Sequence, residues 1–202
     1  MQPTIVSTSR VEEEDEQSNL SFLSDALVWY QRIMAGHAQR TAQLAQALVT
    51  RIQCSKEEAR LIILAALLHD IGKIAVPTTI LNKPDLLEEQ EWAIMRRHPE
   101  IGYNLLNAAG GIYSYIAPLV LAHHERWDGL GYPHGLAGEA IPFGARILTA
   151  VDAYNAMIEE RPYRQALTQT EAQAEIQRCA GTQCDPSVVE ALLSVLEEEE
   201  AV

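Results

Sequence analysis

Positive charge is scarce in this chain: 15 Lys and Arg stand against 28 Asp and Glu, a net charge of −13 at neutral pH. A surface that negative repels phosphate backbones and anionic lipid, which excludes binding to a nucleic acid polymer through a basic patch. Phenylalanine is nearly missing, with 2 copies in 202 residues, while Ala and Leu abound, a bias toward helix over sheet. The three cysteines, Cys54, Cys179 and Cys184, are an odd number with no CxxC pair. That argues against a disulfide framework and for small buried hydrophobes in a reducing, cytoplasmic setting. The longest apolar run, Leu61 to Leu68, falls far short of the ~20 residues a membrane span needs, and the N-terminus lacks a basic-then-apolar signal.

With 48% hydrophobic and 21% charged residues, the composition is globular. Residues 1–19 hold the run Glu12-Glu13-Glu14-Asp15-Glu16 and no periodicity, and are expected to form an acidic, disordered tail ahead of one domain over 20–202. From Phe22 onward Leu27, Ile33, Leu44, Leu48 and Ile52 fall at helical spacing. Ser55-Lys56-Glu57-Glu58 reads as a capping box opening a second helix that stops near Gly72. A third, started by Asp85 followed by Glu88, is expected to end about His98, and a fourth to run from Pro99 to Gly110-Gly111. Pro118 is expected to open a fifth carrying His123 and His124, and Arg126–Ile141 to form a long Gly-rich loop. Further helices follow from Pro142 to Glu159, from Thr168 to Gly181 and from Asp185-Pro186 onward. No segment alternates as a strand. The expected fold is an all-α bundle of seven to eight helices.

Six histidines are present, and two dipeptides stand out: His69-Asp70, closing an apolar helix, and His123-His124 before Glu125. Adjacent helical residues point about 100° apart, so both members of such a pair cannot hide in one core face. Imidazole with carboxylate suits a metal centre, and one carboxylate can bridge two ions. A single His-Asp pair is equally compatible with a buried, hydrogen-bonded histidine. Two pairs in one small helical chain, with another His and a later Asp in similar settings, favour metal.

The run His69-Asp70-Ile71-Gly72-Lys73 precedes His123-His124-Glu125-Arg126-Trp127-Asp128-Gly129-Leu130-Gly131-Tyr132-Pro133. Together they resemble the HD-GYP family of metal-dependent cyclic di-GMP phosphodiesterases, within the HD superfamily of phosphohydrolases. Supporting stretches are Leu81-Asn82-Lys83-Pro84, His98-Pro99-Glu100-Ile101-Gly102, Gly138 to Pro142, Ala145-Arg146-Ile147-Leu148 and Arg161-Pro162-Tyr163-Arg164, so the likeness covers roughly residues 30–195.

The resemblance implies two divalent metals, Fe or Mn, with His37, His69, Asp70 and Asp152 around one. Asp70 would reach across to a second held by His98, His123 and His124. It further implies hydrolysis of cyclic di-GMP to pGpG, and on to GMP, by a metal-bridging hydroxide, with Asp70 and Lys73 as catalytic residues. Lys73, a compact cation, would hold a phosphate oxygen or assist the leaving oxygen. Arg161 and Arg164 match family positions that grip substrate phosphate or guanine, and Gly131, Tyr132 and Pro133 form the loop beside the substrate. Either stacking or loop packing fits Tyr132.

Some family members bind a third metal through a Glu one turn before the first His; that position is Ile33 here, which cannot ligate. The usual Tyr-Asp-Ala reads Tyr154-Asn155-Ala156. Glu125 and Asp128 are expected to pin the loop by hydrogen bonds rather than bind metal. Two other functions compete: hydrolysis of another cyclic dinucleotide or nucleotide, and a catalytically weak module that binds cyclic di-GMP or docks a diguanylate cyclase domain.

Overall fold

The computed structural model describes residues 36–160 and 165–200. The expected tail at 1–19, together with Ile33, Arg161 and Arg164, lies outside the described residues. Among them helix is the only extended regular structure; β pairing is limited to the isolated bridges Asp128–Ala137 and Ala180–Cys184.

Helix α1 spans 36–51. The sequence then gives α2 (Lys56–Leu68), α3 (Thr78–Leu81), α4 (Glu89–Met95), α5 (His98–Ala109), α6 (Ile112–Leu121), α7 (Phe143–Ile158), α8 (Gln169–Arg178) and α9 (Pro186–Glu200). Single 3-10 turns occupy Ile71–Ala75 and Gly138–Ala140. Setting aside the four-residue α3, eight helices are described, in keeping with the expected bundle.

Local sequence starts several of these elements. Ser55 Oγ accepts from the Glu58 N–H at 3.2 Å while Glu58 accepts back from the Ser55 N–H at 3.1 Å. Thr168 and Glu171 repeat the arrangement ahead of α8. Each such box is worth about 1 kcal/mol.

Three boundaries differ from the sequence reading. Helix α2 stops at Leu68, and the chain tightens into a 3-10 turn through Gly72 and Lys73. Helix α4 starts at Glu89 rather than Asp85, with the Glu88 N–H donating to the Glu91 carboxylate at 2.8 Å. Pro118 lies inside α6 instead of opening a helix, and His123 and His124 follow that helix's end. An interior proline costs about 3 kcal/mol. Ile116 and Val120, both fully buried on either side of it, return about 1.5–3 kcal/mol each, so packing wins over local propensity.

Helix α7 is the axle. It packs against α2, α6, α8 and α9, and buries Ala145, Ile147, Leu148, Ala150 and Val151. Leu48 of α1, Ile62 of α2, Ile176 of α8 and Leu192 of α9 complete one continuous core. Gly72 is fixed by a close approach: a Cβ there would lie 2.0 Å from the His98 carbonyl oxygen and 2.6 Å from the Gly102 nitrogen. Only a bare backbone lets the turn after His69-Asp70 press against the first turn of α5. That contact brings His98 to Asp70.

Candidate metal centre

Three histidines are set by the same local device. His69 Nδ1 donates to the Ala66 carbonyl at 2.8 Å, His98 Nδ1 to Met95 at 2.8 Å, and His123 Nδ1 to Val120 at 2.5 Å. Each carbonyl belongs to the residue three positions earlier, at the end of a helix or of a helical turn. With a proton assigned to Nδ1, each Nε2 faces inward, and a neutral ring offers its lone pair there. His98 Nε2 and His123 Nε2 then stand 3.2 Å apart. Two facing lone pairs at that distance repel unless a cation lies between or beside them.

Asp70 sits at the junction. Its Oδ1 is 3.2 Å from His98 Nε2 and 4.0 Å from His123 Nε2, and its Oδ2 is 3.4 Å from His69 Nε2. Lys73 Nζ donates to Oδ2 at 2.6 Å. Asp70 Oδ1 and His69 Nε2 are buried without any hydrogen-bond partner. Such orphaned groups cost roughly 1–3 kcal/mol each unless something else coordinates them.

On the other flank, His37 Nε2 donates to Asp152 Oδ1 at 2.9 Å, and that oxygen lies 3.7 Å from His69 Nε2. Two ligand groups result, each with its atoms within 4.8 Å of one another: Asp70, His98, His123 and His124, and His37, His69 and Asp70. Six of the seven residues expected to surround metal fall in these groups, Asp70 in both; Asp152 belongs to neither and meets the second through His37 and His69.

The two flanks differ electrically. Burial alone would depress His69, but Asp70 and Asp152 outweigh it and lift its pKa to about 10. The carboxylate flank demands a positive charge, which a proton or a metal cation supplies. Burial pushes His124 down to about 3, aided by His98, and takes His123 well below the usual range, aided by His124 and His98. His123 and His124 are thereby kept neutral, as metal ligation requires.

The loop after His124 closes over the imidazole flank. Tyr132 stacks on His124 with ring centroids 4.9 Å apart and 29° between planes, and Arg96 lies 5.7 Å above Tyr132. Burial, then the nearby Asp70 and Asp152, raise the Tyr132 phenol, so it stays neutral. Gly131 is again a close approach, since a Cβ would fall 2.3 Å from the Arg126 nitrogen. Buried Glu125 accepts from the His134 and Leu136 N–H groups at 2.7 and 3.0 Å, and Asp128 accepts from Arg126 and from the Leu130 N–H.

Sequence reasoning passed over several supports. Thr149 of α7 donates to the His123 carbonyl at 2.9 Å. Thr41 donates to the His37 carbonyl at 3.0 Å and accepts from Asn155 at 3.3 Å, so the Asn-for-Asp departure lies one hydrogen bond behind that histidine. Glu159 meets His37 Nδ1 at 3.1 Å. Thr41 alone reaches its histidine within one helical turn; Thr149, Asn155 and Glu159 meet partners that no local spacing marks.

The HD domain family matches residues 21–188. The chain is an HD-domain protein. Its Gly131-Tyr132-Pro133 loop carries the residues on which the resemblance to the HD-GYP family rests. It is 42% identical over 182 residues to the cyclic di-GMP phosphodiesterase response regulator RpfG of Xanthomonas campestris, which covers 90% of this chain and 48% of the relative. It is 37% identical over 172 residues to the 3'3'-cGAMP-specific phosphodiesterase 2 of Vibrio cholerae, covering 85% of this chain and 33% of the relative. The HD-domain chain thus spans about half of the first relative and a third of the second. In fold it is similar to the HDG"Y"P protein of Bdellovibrio bacteriovorus, with a TM-score of 0.66 at 18% identity over 94% of this chain and 63% of that one. Among the described residues no helix is long and apolar enough to cross a membrane.

Proposed function

We propose that the chain hydrolyses the phosphodiester bonds of cyclic di-GMP, opening the ring to pGpG and continuing to GMP. The reading rests above all on the Nε2 atoms of His69, His98 and His123 converging on the Asp70 carboxylate, where His69 Nε2 and Asp70 Oδ1 are buried without a hydrogen-bond partner. His37, His69, Asp70 and Asp152 would hold one divalent ion, and Asp70, His98, His123 and His124 a second. Imidazole and carboxylate ligands suit Fe or Mn, and Ile33 in place of a Glu makes two ions the working number. When bound, such a pair supplies Lewis-acid stabilisation of a phosphoryl group and activation of water.

The chain's own residues orient the substrate. The Lys73 ammonium, partly buried beside Asp70, reaches a phosphate oxygen from the same turn that carries His69. Tyr132, held neutral on His124, stacks or donates to the dinucleotide, and Gly131 and Pro133 shape the loop around it. Arg161 and Arg164 grip phosphate or guanine. Exposed Leu130, at the loop tip, offers a contact for a protein such as a diguanylate cyclase domain. The three free cysteines accord with a cytoplasmic setting.

Protein purified without oxygen, loaded with Fe(II) or Mn(II) and given cyclic di-GMP, is expected to release pGpG. Two equivalents of metal with no turnover would end the proposal. The likeness to a 3'3'-cGAMP-specific enzyme favours a second reading, so that dinucleotide belongs in the same assay. Faster turnover of it would reassign the substrate. A docking module, by contrast, would keep its cellular effect after His69→Ala.

A further inference from the structure

His37 is held unlike the other histidines. His69, His98 and His123 give their Nδ1 protons to backbone carbonyls three residues earlier. His37 Nδ1 instead lies 3.1 Å from both carboxylate oxygens of Glu159, a residue 122 positions away. Glu159 is itself tied to Arg40, one turn beyond His37 on α1, whose Nε donates to Oε1 at 3.1 Å and whose Nη2 pairs with the same oxygen. Asp152, on the same α7 whose C-cap is Glu159, takes the other nitrogen of the ring at 2.9 Å. One helix therefore clamps His37 at both nitrogens.

We infer that Glu159 is a positioning residue that sets the affinity of the carboxylate flank for its metal, acting through His37. The inference rests on the two-metal reading above. With a metal in place of the proton that Nε2 gives Asp152, a carboxylate behind the imidazole would keep the other proton on Nδ1, orient the ring and make it a stronger donor. A backbone carbonyl fixes the ring but carries no full charge. The imidazole flank thus has anchors built from its own helix ends. The carboxylate flank depends on α1 meeting the end of α7.

Full-length wild type, Glu159→Ala, Glu159→Gln and Arg40→Ala would be titrated with Mn(II) against a chelator, with melting temperature measured alongside. Wild type is expected to bind two equivalents. In Glu159→Ala one equivalent should weaken about 10–100-fold, the usual cost of losing such a partner, while the other stays as in wild type. Glu159→Gln should recover part of the loss, since its amide oxygen still accepts from Nδ1 but bears no charge. Arg40→Ala should weaken the same equivalent by a few-fold. Two unchanged equivalents in Glu159→Ala would overturn the inference. So would equal weakening of both together with a lowered melting temperature, which marks a merely structural role. A wild type that binds no Mn(II) would instead defeat the two-metal reading, and this inference with it.

Discussion

The imidazole flank and the carboxylate flank of the cluster are assembled by different means. His98 and His123 are 25 residues apart, sit at the start of one helix and just past the end of the next, and are aimed by carbonyls of their own chain segments. His37 and Asp152 are 115 residues apart and meet only because α1 packs on α7. The first flank is preset by local backbone and holds the neutral rings of His123 and His124. The second is charged, and its geometry is only as good as the long-range packing behind it. Asp70, at the head of a 3-10 turn pressed on α5, belongs to both.

The sharpest way to break the contrast is at the shared residue. Asp70→Asn should remove metal from both flanks and lower cyclic di-GMP turnover by about 1,000-fold, matching the several kcal/mol a metal pair contributes. Metal analysis and a turnover assay read it out. Loss of one equivalent alone would show that Asp70 serves a single flank.

Gly131→Ala should separate the flanks. The added Cβ meets backbone at 2.3 Å and has no flexible neighbour to displace, so the loop over His124 must shift. A cost of about 1–3 kcal/mol is expected, read as a melting temperature several degrees lower. The metal equivalent on the imidazole flank should weaken while the His37 flank keeps its own.

The metal-free protein should show the two flanks as opposite limbs of a stability-versus-pH curve. His124, depressed to about 3, and His123, also depressed, contribute stability that is present above pH ~6.5 and is lost as pH falls. His69, raised to about 10, contributes stability that is present below pH ~6.5 and is lost as pH rises through 10. Melting temperature should therefore peak near neutrality, and His69→Gln should flatten only the alkaline limb. An alkaline limb untouched by that substitution would refute the charge difference.

The smallest effect belongs to the rim. Arg96→Ala removes a cation–π contact of about 0.5–1 kcal/mol with Tyr132, so KM should rise a few-fold with kcat nearly constant. An equal fall in kcat would place Arg96 nearer the chemistry.

Much of this was legible in the chain, and unevenly so. The capping boxes at Ser55 and Thr168 announce their helices because both partners lie within one turn. The start of α6 was hidden because Pro118 reads locally as a helix opener, while the burial of Ile116 and Val120 that overrides it is a tertiary fact. The pairs His69-Asp70 and His123-His124 stood out on residue type. The partnership of Glu159 with His37 did not, since no spacing rule links residues 122 apart.

By itself, then, the sequence determined which side chains were available for metal, that helices would carry them, and that glycine stands at 72 and 131. Only the tertiary structure decided which carboxylates meet the two nitrogens of His37, that Asp70 stands between two ligand groups, and why those two glycines admit no side chain. The reason is physical. Helix starts and the aim of His69, His98 and His123 depend on hydrogen bonds within a few residues, whereas the clamp on His37, a shared carboxylate and a backbone-to-backbone approach depend on neighbours that distant segments bring in.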